Sequence, residues 1–508
     1  MTVTEPKPIA ASRVAHPGAP AWALRDRNAY LIGIGGCGMS GLARMLSARG
    51  ASVGGSDMTR TEVTDLLRAD GITVGLNQSD ALPDDVDLVI ATAAVPPDHP
   101  QLLDAQNRGI ETLSYAEALG RCMLGHTGVA IAGTHGKSTT VAMLGAALVD
   151  AGIDPNVIVG ATCAQLAGGS LAGPGKPTGF RLGGQTIASG QHAGEPGVLL
   201  AEACEYNRSF HHLRPRIGAI GPIEADHLDI YGSLDAVLEA FQGFAKLLPD
   251  ASEGGRLLIA HEGANRRTVA AGCRAKIETI GFSPEADWSI RIDPDTRSVA
   301  LLNQRRELCS WTMSMPGVHN AINSAVAAAL AITVGADPST IADSLGAFRG
   351  LDRRMQLLGE KPVRGGVVRV WDDYGHHPTE IDSTLRALRE FDRPAERGGR
   401  LICVFQPHQH SRTRFLLEEF ANAFEHADAV IVPHIYFVRD SEAEKQRISA
   451  GDLVDRLRDR GVRAMHLYPF DAIVEHLGEL CRAGDTLVAM GAGPVWKVAR
   501  GYLEGVNA

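Results

Sequence analysis

The segment Gly133-Thr134-His135-Gly136-Lys137-Ser138-Thr139-Thr140 sets a lysine and hydroxyl side chains directly after a glycine-bracketed turn. Each residue type has a task at a phosphate. Glycines let backbone N–H groups close on phosphate oxygens, the Lys137 ammonium bridges them, and the Ser138 hydroxyl can ligate Mg²⁺. The apolar run 129–132 before the turn reads as a buried strand, and the pattern after it as a helix ending near Leu148. Strand, loop and helix N-terminus together make a nucleotide phosphate site. Full Walker spacing needs a glycine at 131, where Ile131 stands, so the loop is a shortened variant. The plainer alternative is a Gly-rich turn with an exposed lysine, which the agreement of three signals disfavours.

Other clusters carry chemistry of their own. Gly33, Gly35 and Gly38 fit G-x-G-x-x-G, with Asp57 19 residues beyond Gly38. That pattern suits a dinucleotide fold, and equally any diphosphate held at a helix N-terminus. Glu202 closes an apolar strand, and Glu224, Asp226 and His227 lie at another strand end. Carboxylate oxygens suit Mg²⁺ and an imidazole can complete a shell; helix capping by Asp226 is the alternative. Asn320 and Asn323 share a helix face and can pair with an adenine edge, or act as cap and surface residues. In Asp372-Asp373-Tyr374-Gly375-His376-His377-Pro378-Thr379-Glu380 the paired histidines suggest metal. Gly375 and Pro378 bend the chain and no cysteine is near, which favours a substrate-positioning loop. Arg412 or Arg414 can fork onto a carboxylate, or sit at a solvated helix start.

The elements that must position these groups form three α/β blocks. A chain of 508 residues exceeds one core. The boundaries read as a flexible leader over 1–28, a Rossmann-like domain over 29–122, a P-loop-type central domain over 123–347 and a second Rossmann-like domain over 348–508. Strands are expected at 51–54, 86–92, 197–201, 216–220, 367–371, 401–405, 429–433 and 486–490. A meander is expected over 287–312, loops or an extended hairpin over 167–197, and helices over 320–334, 379–390 and 413–426. A net charge of −10 without a basic run argues against nucleic acid or anionic membrane as partner. No apolar run is long enough for a membrane span. Eight scattered cysteines without a C-x-x-C pair suggest reduced thiols in a cytoplasmic protein.

Taken together, the glycine loop 35–41, the phosphate loop 133–140, Ile223-Glu224-Ala225-Asp226-His227, His319-Asn320 and the loop 372–380 resemble the Mur ligase family, and most of all its alanine-adding members. The resemblance spans about 30–498. It implies ATP and Mg²⁺ as cofactors and UDP-N-acetylmuramate and L-alanine as small-molecule substrates. It also implies an acyl phosphate formed on the muramoyl carboxylate during peptidoglycan precursor synthesis, in a cytoplasmic monomer or homodimer.

By position, the resemblance makes Gly133, Thr134, His135, Gly136, Lys137, Ser138, Thr139, Asn320, Asn323 and Arg354 the ATP site. Ser138, Glu202 and His227 become metal ligands. Gly35, Gly36, Cys37, Gly38, Met39, Ser40 and Asp57 become the UDP-substrate site, and Tyr374, His376 and Arg412 the amino-acid site. Lys137, His227, His376 and Arg412 are its catalytic residues.

Departures from the family pattern are Cys204 and Asn207 in place of acids, Ser138 in place of threonine, Gln78 in place of a histidine near uridine, and Gln409 in place of an arginine. Arg439 is a candidate to compensate for Gln409. Alternatives are a ligase of the same fold with another amino-acid or peptide acceptor, a non-catalytic sugar-nucleotide sensor, and an NAD-dependent oxidoreductase. The oxidoreductase leaves Lys137, Glu202 and His227 without work.

Overall fold

Three runs of strand-forming segments close into three sheets. The computed structural model describes residues 21–172, 175–438 and 440–505. The first twenty residues of the expected leader, and Arg439, lie outside the described residues.

The first sheet has five parallel strands in the order Thr73–Gly75, Ser52–Ser56, Asn28–Ile32, Leu88–Ala91 and Glu111–Ser114. The second has ten strands. At its centre Thr127–Ala132 lies between Val198–Glu202 and Ile217–Ile220, all parallel. Every position of Thr127–Ala132 is buried, as expected of a parallel strand covered on both faces. The expected meander is the antiparallel set Trp288–Asp293, Ser298–Asn303 and Arg306–Thr312, joined to the edge of the same sheet. The third sheet has six strands, five of them parallel. Its antiparallel edge, Gln356–Val363, pairs with Gly366–Asp373 and was not anticipated from the sequence.

Ligand sites in such sheets gather beyond the carboxyl ends of the strands. The phosphate loop, Glu202 and the segment after Ile220 leave neighbouring strands on that side. The helix Lys137–Asp150 is buried from Ser138 through Leu148. It packs between the sheet and the alanine-rich helix Val318–Thr333. Small side chains let these two helices approach closely, which brings Asn323 onto the phosphate loop.

The first two domains share one core. Leu42 and Leu46 of the helix Cys37–Ala48 belong to the same apolar cluster as Ile158, Phe241 and Phe244. A side chain at Gly41 would lie 3.4 Å from Phe180 and 3.6 Å from Ile158. A β-carbon at Gly120 would come within 2.0 Å of the His212 carbonyl, so only glycine fits there.

Three expectations are corrected. The end of the leader is not loose: Leu24 is 2% exposed in the shared core, Trp22 packs beside it, and Arg121 lies 5.5 Å over the Trp22 ring. The third domain starts past 348, because Phe348 and Leu351 are buried in the central core. The helix expected over 413–426 is two short helices, His410–Phe415 and Leu417–Asn422, broken at Leu416. Within the Gly/Pro-rich stretch, the short strand Thr178–Arg181 and a bridge between Thr186 and Pro196 form; 173–174 lie outside the described residues.

Candidate active site

Gly136 has a φ of +80° and precedes the helix that starts at Lys137. A β-carbon there would stand 2.3 Å from Asn323 Oδ1, so the loop needs glycine for its conformation and for space. Lys137 Nζ donates to the carbonyls of Gly133 at 2.6 Å and Thr134 at 3.0 Å, and to Glu205 at 3.0 Å. Burial works against the ammonium, but Glu205, with Cys204 and Glu202 beside it, outweighs that and raises the lysine above its ordinary value. Glu205 is 5% exposed. The sequence reading passed over it, although it stands in the same acidic stretch as Glu202.

Glu202 Oε1 accepts from the Gly160 amide at 2.6 Å. Cys204 opens to solvent beside it. Desolvation by the surrounding protein pushes its thiol up to about 11. His227 turns through a φ of +53° and places Nε2 3.9 Å from Glu205 Oε1.

Arg412 is committed elsewhere than expected. Its Nε and Nη2 both donate to Asp226 Oδ1, at 3.2 and 2.8 Å, and Nη2 lies 3.3 Å from His227 Nδ1. Burial pushes Asp226 up, but the guanidinium together with His227 and the histidines of the C-terminal loop outweighs it and holds the carboxyl far below the usual carboxylate range. The two-point grip expected for an amino-acid carboxylate is taken by a carboxylate of the protein.

The C-terminal wall is the loop 373–380. Burial pushes the His376 imidazole down to about 4, so it is neutral, and Nδ1 stands 3.1 Å from the Tyr374 carbonyl. Burial raises the Asp373 carboxyl to about 6. Glu380 accepts from the amides of His376 at 2.9 Å and His377 at 3.2 Å. His135 crosses the domain boundary, with Nδ1 3.2 Å from Glu380 Oε1 and Nε2 3.4 Å from Glu224 Oε2. Burial disfavours its charge, but these carboxylates raise it to about 9. The side chain of His135 thus faces the C-terminal domain while its backbone belongs to the phosphate loop. Glu224 was singled out as a possible metal carboxylate but not as a partner of His135, and Glu380 was not assigned a role. Glu380 had a signal, since it closes a capping box with His377 at the start of the helix Pro378–Asp392.

These walls enclose a cavity of about 320 Å³ between the central and C-terminal domains. Thr134, Ser138 and Thr139 line it together with Glu202, His227 and His376. Asn320 and Asn323 also line it, but their amides are engaged. Asn320 Nδ2 donates to the Pro316 carbonyl at 2.8 Å, and Asn323 lies against Gly136. Arg354 reaches the cavity wall, 3.9 Å from Glu380, and stacks 4.9 Å over Tyr374. Arg353 stacks on Tyr374 too, at 5.0 Å, so this tyrosine is tied to the linker arginines.

The first glycine loop stands apart. The Gly35 amide donates to Asp57 Oδ2 at 2.9 Å, so Asp57 clamps the loop itself. Gly36 and Gly38 flank the start of the helix, where the first-turn amides lack intrahelical partners. Cys37 Sγ donates to the Val159 carbonyl at 3.4 Å, and burial pushes its thiol up to about 11. Met39 and Ser40 are both buried, and Ser40 Oγ donates to the Cys37 carbonyl. Gln78 Oε1 lies 3.3 Å from His99 Nε2, so an imidazole stands beside Gln78.

A family model described as the Mur ligase family catalytic domain matches residues 28–127. The Mur ligase middle domain matches 131–331, and the Mur ligase glutamate ligase domain matches 353–493. The chain belongs to the Mur ligase family. The Mur ligase spans follow the three sheets closely. A UDP-N-acetylmuramate–L-alanine ligase of Clostridium botulinum is 33% identical over 95% of this chain and 99% of its own length. One from Clostridium kluyveri is 34% identical over the same shares. Among solved Mur ligase structures, a UDP-N-acetylmuramate–alanine ligase from Thermotoga maritima has a TM-score of 0.72 at 23% identity, covering 94% of this chain and 98% of that one. A murein peptide ligase from Psychrobacter arcticus has 0.68 at 24% identity, with the same coverage. No helix among the described residues is long and apolar enough to cross a membrane.

Proposed function

We propose that this Mur ligase joins L-alanine to the carboxylate of UDP-N-acetylmuramate at the expense of ATP, through an acyl phosphate. The observation that carries the reading is the single cavity into which the phosphate loop, Glu202, His227 and His376 all open. The names of the relatives identified above support the choice of substrates.

A carboxylate is a poor electrophile, and phosphorylation gives it a leaving group. Lys137 is held over the loop by two carbonyls and Glu205. It exchanges the carbonyls for phosphate oxygens when ATP enters, and so meets the charge that builds during transfer. The hydroxyl of Ser138, the carboxylate of Glu202 and the imidazole of His227 line the cavity. This set of hard oxygens and one imidazole fits Mg²⁺, and these residues would hold it. When bound, Mg²⁺ supplies neutralisation of phosphate charge. The neutral imidazole of His376 accepts a hydrogen bond from the incoming amine and aims its lone pair at the acyl carbon. Asp226 and Arg412 hold His227 in place from behind.

The test incubates the protein with ATP, Mg²⁺, UDP-N-acetylmuramate and each amino acid in turn, following phosphate release. Release that requires both substrates and is fastest with alanine is expected. Release without amino-acid preference refutes the acceptor, and an NAD(H) absorbance change in its place refutes the reaction class.

A further inference from the structure

We propose that His135, Glu224 and His377 form a site for one transition-metal cation of the Zn²⁺ class, bridging the central and C-terminal domains and separate from the Mg²⁺ ligands. One donor atom from each residue lies within 4.8 Å of the other two. Glu224 Oε2 is the middle point, 3.4 Å from His135 Nε2 and 3.6 Å from His377 Nδ1. Donor atoms around a tetrahedral zinc with bonds of about 2.0–2.1 Å stand roughly 3.3 Å apart, so two of the three separations need only small shifts.

His377 is 6% exposed and lines the cavity. Its Nδ1, the atom nearest Glu224, otherwise accepts only a long bond, 3.4 Å, from the Thr379 amide, and Nε2 on the other side of the ring has no hydrogen-bond partner among the described residues. The surroundings of His135 match those of a metal ligand: Nδ1 faces Glu380 at 3.2 Å while Nε2 faces the site. A carboxylate on the far nitrogen fixes ring orientation and tautomer and raises ligand basicity. The carboxylates that hold a proton on His135 attract a cation in its place. Two imidazoles and one carboxylate favour zinc-class ions over magnesium, and leave a fourth position open. Because His135 and Glu224 belong to the central domain and His377 to the C-terminal domain, the ion fastens one to the other.

The experiment titrates chelator-treated full-length protein with Co²⁺, reading the visible absorption of tetrahedral cobalt, then displaces it with Zn²⁺. It reads binding and not turnover, so its outcome is independent of the ligase assignment. One saturable equivalent that excess Mg²⁺ does not displace is expected. His377→Gln and Glu224→Gln should abolish it at the same concentrations, and Glu380→Gln should weaken it about 10–100-fold, with thermal melts confirming that each variant is folded. The exposed pair His434 and His466, 3.0 Å apart, is the competing location, and His434→Ala should leave the signal unchanged. No saturable tetrahedral band in the wild-type protein overturns the proposal. So does displacement by Mg²⁺, survival of the band in folded His377→Gln, or its loss in His434→Ala.

Discussion

Arg412 of the C-terminal domain and Asp226 of the central domain form a buried two-bond ion pair across 186 residues of sequence. Both side chains are less than a tenth exposed. Removing one partner of such a pair strands the other charge and typically costs about 3–5 kcal/mol. Arg412→Ala and Asp226→Asn should each lower the urea midpoint, and the double variant should cost less than their sum. A residue whose only task were to bind the amino-acid carboxylate would raise KM for alanine and leave the midpoint alone.

Lys137→Ala removes the one ammonium that Gly133, Thr134 and Glu205 hold over the phosphate loop. Loss of one electrostatic stabiliser typically costs 10²–10³ in kcat, and a drop of at least that order is expected here. Binding of UDP-N-acetylmuramate, measured calorimetrically, should be little changed, since the first glycine loop lies in another domain. Wild-type turnover in this variant overturns the site map.

Gly136→Ala tests the loop's shape. The new β-carbon meets Asn323 Oδ1 at 2.3 Å, on a backbone with a φ of +80°. Left-handed backbone alone costs roughly 1–2 kcal/mol for an alanine. The expected result is a lower melting temperature and a raised KM for ATP. Adding Asn323→Ala should recover the part due to collision and leave the part due to backbone conformation.

His126 sits where the first domain meets the second, with Nε2 3.3 Å from Arg49 Nη2. Burial, and then the neighbouring guanidinium, push its imidazole down to about 4 from 6.5. Above pH 6.5 the folded and unfolded chains both hold it neutral, and it contributes no pH dependence. As pH falls from 6.5 toward 4, the unfolded chain takes up a proton that the folded protein refuses, so stability declines over that window. Melting temperatures from pH 7.5 to 4.5 should fall less steeply in His126→Gln than in the wild type. Parallel curves sink this account.

The phosphate loop was legible because its parts are local. Gly133, Gly136, Lys137 and Ser138 are consecutive or nearly so, and strand and helix patterns flank them. The parallel strands were legible for the same reason, since apolar runs of four to six residues announce themselves. What failed were statements about partners distant in sequence. Arg412 looked available because nothing near it reveals Asp226. Leu24 looked like part of a tail because its burial depends on core residues distant from it in sequence. Asp57 was singled out by its spacing from the glycine loop, yet only the fold shows it spent on the Gly35 amide. Glu380 shows the middle case: its helix-capping pattern is written locally, but its contact with His135 spans 245 residues.

The apolar cluster under the first two sheets runs from Leu24 to Ala275, while the clusters beyond Met355 draw on the C-terminal domain alone. This decides where the polypeptide can be divided. A cut after Leu351 leaves the central core whole and releases a C-terminal piece with a complete interior of its own, suited to separate expression and reassembly. A cut near Gly125 splits one interior into two open faces, so neither half is a sound starting point for a crystallisation fragment or a domain graft.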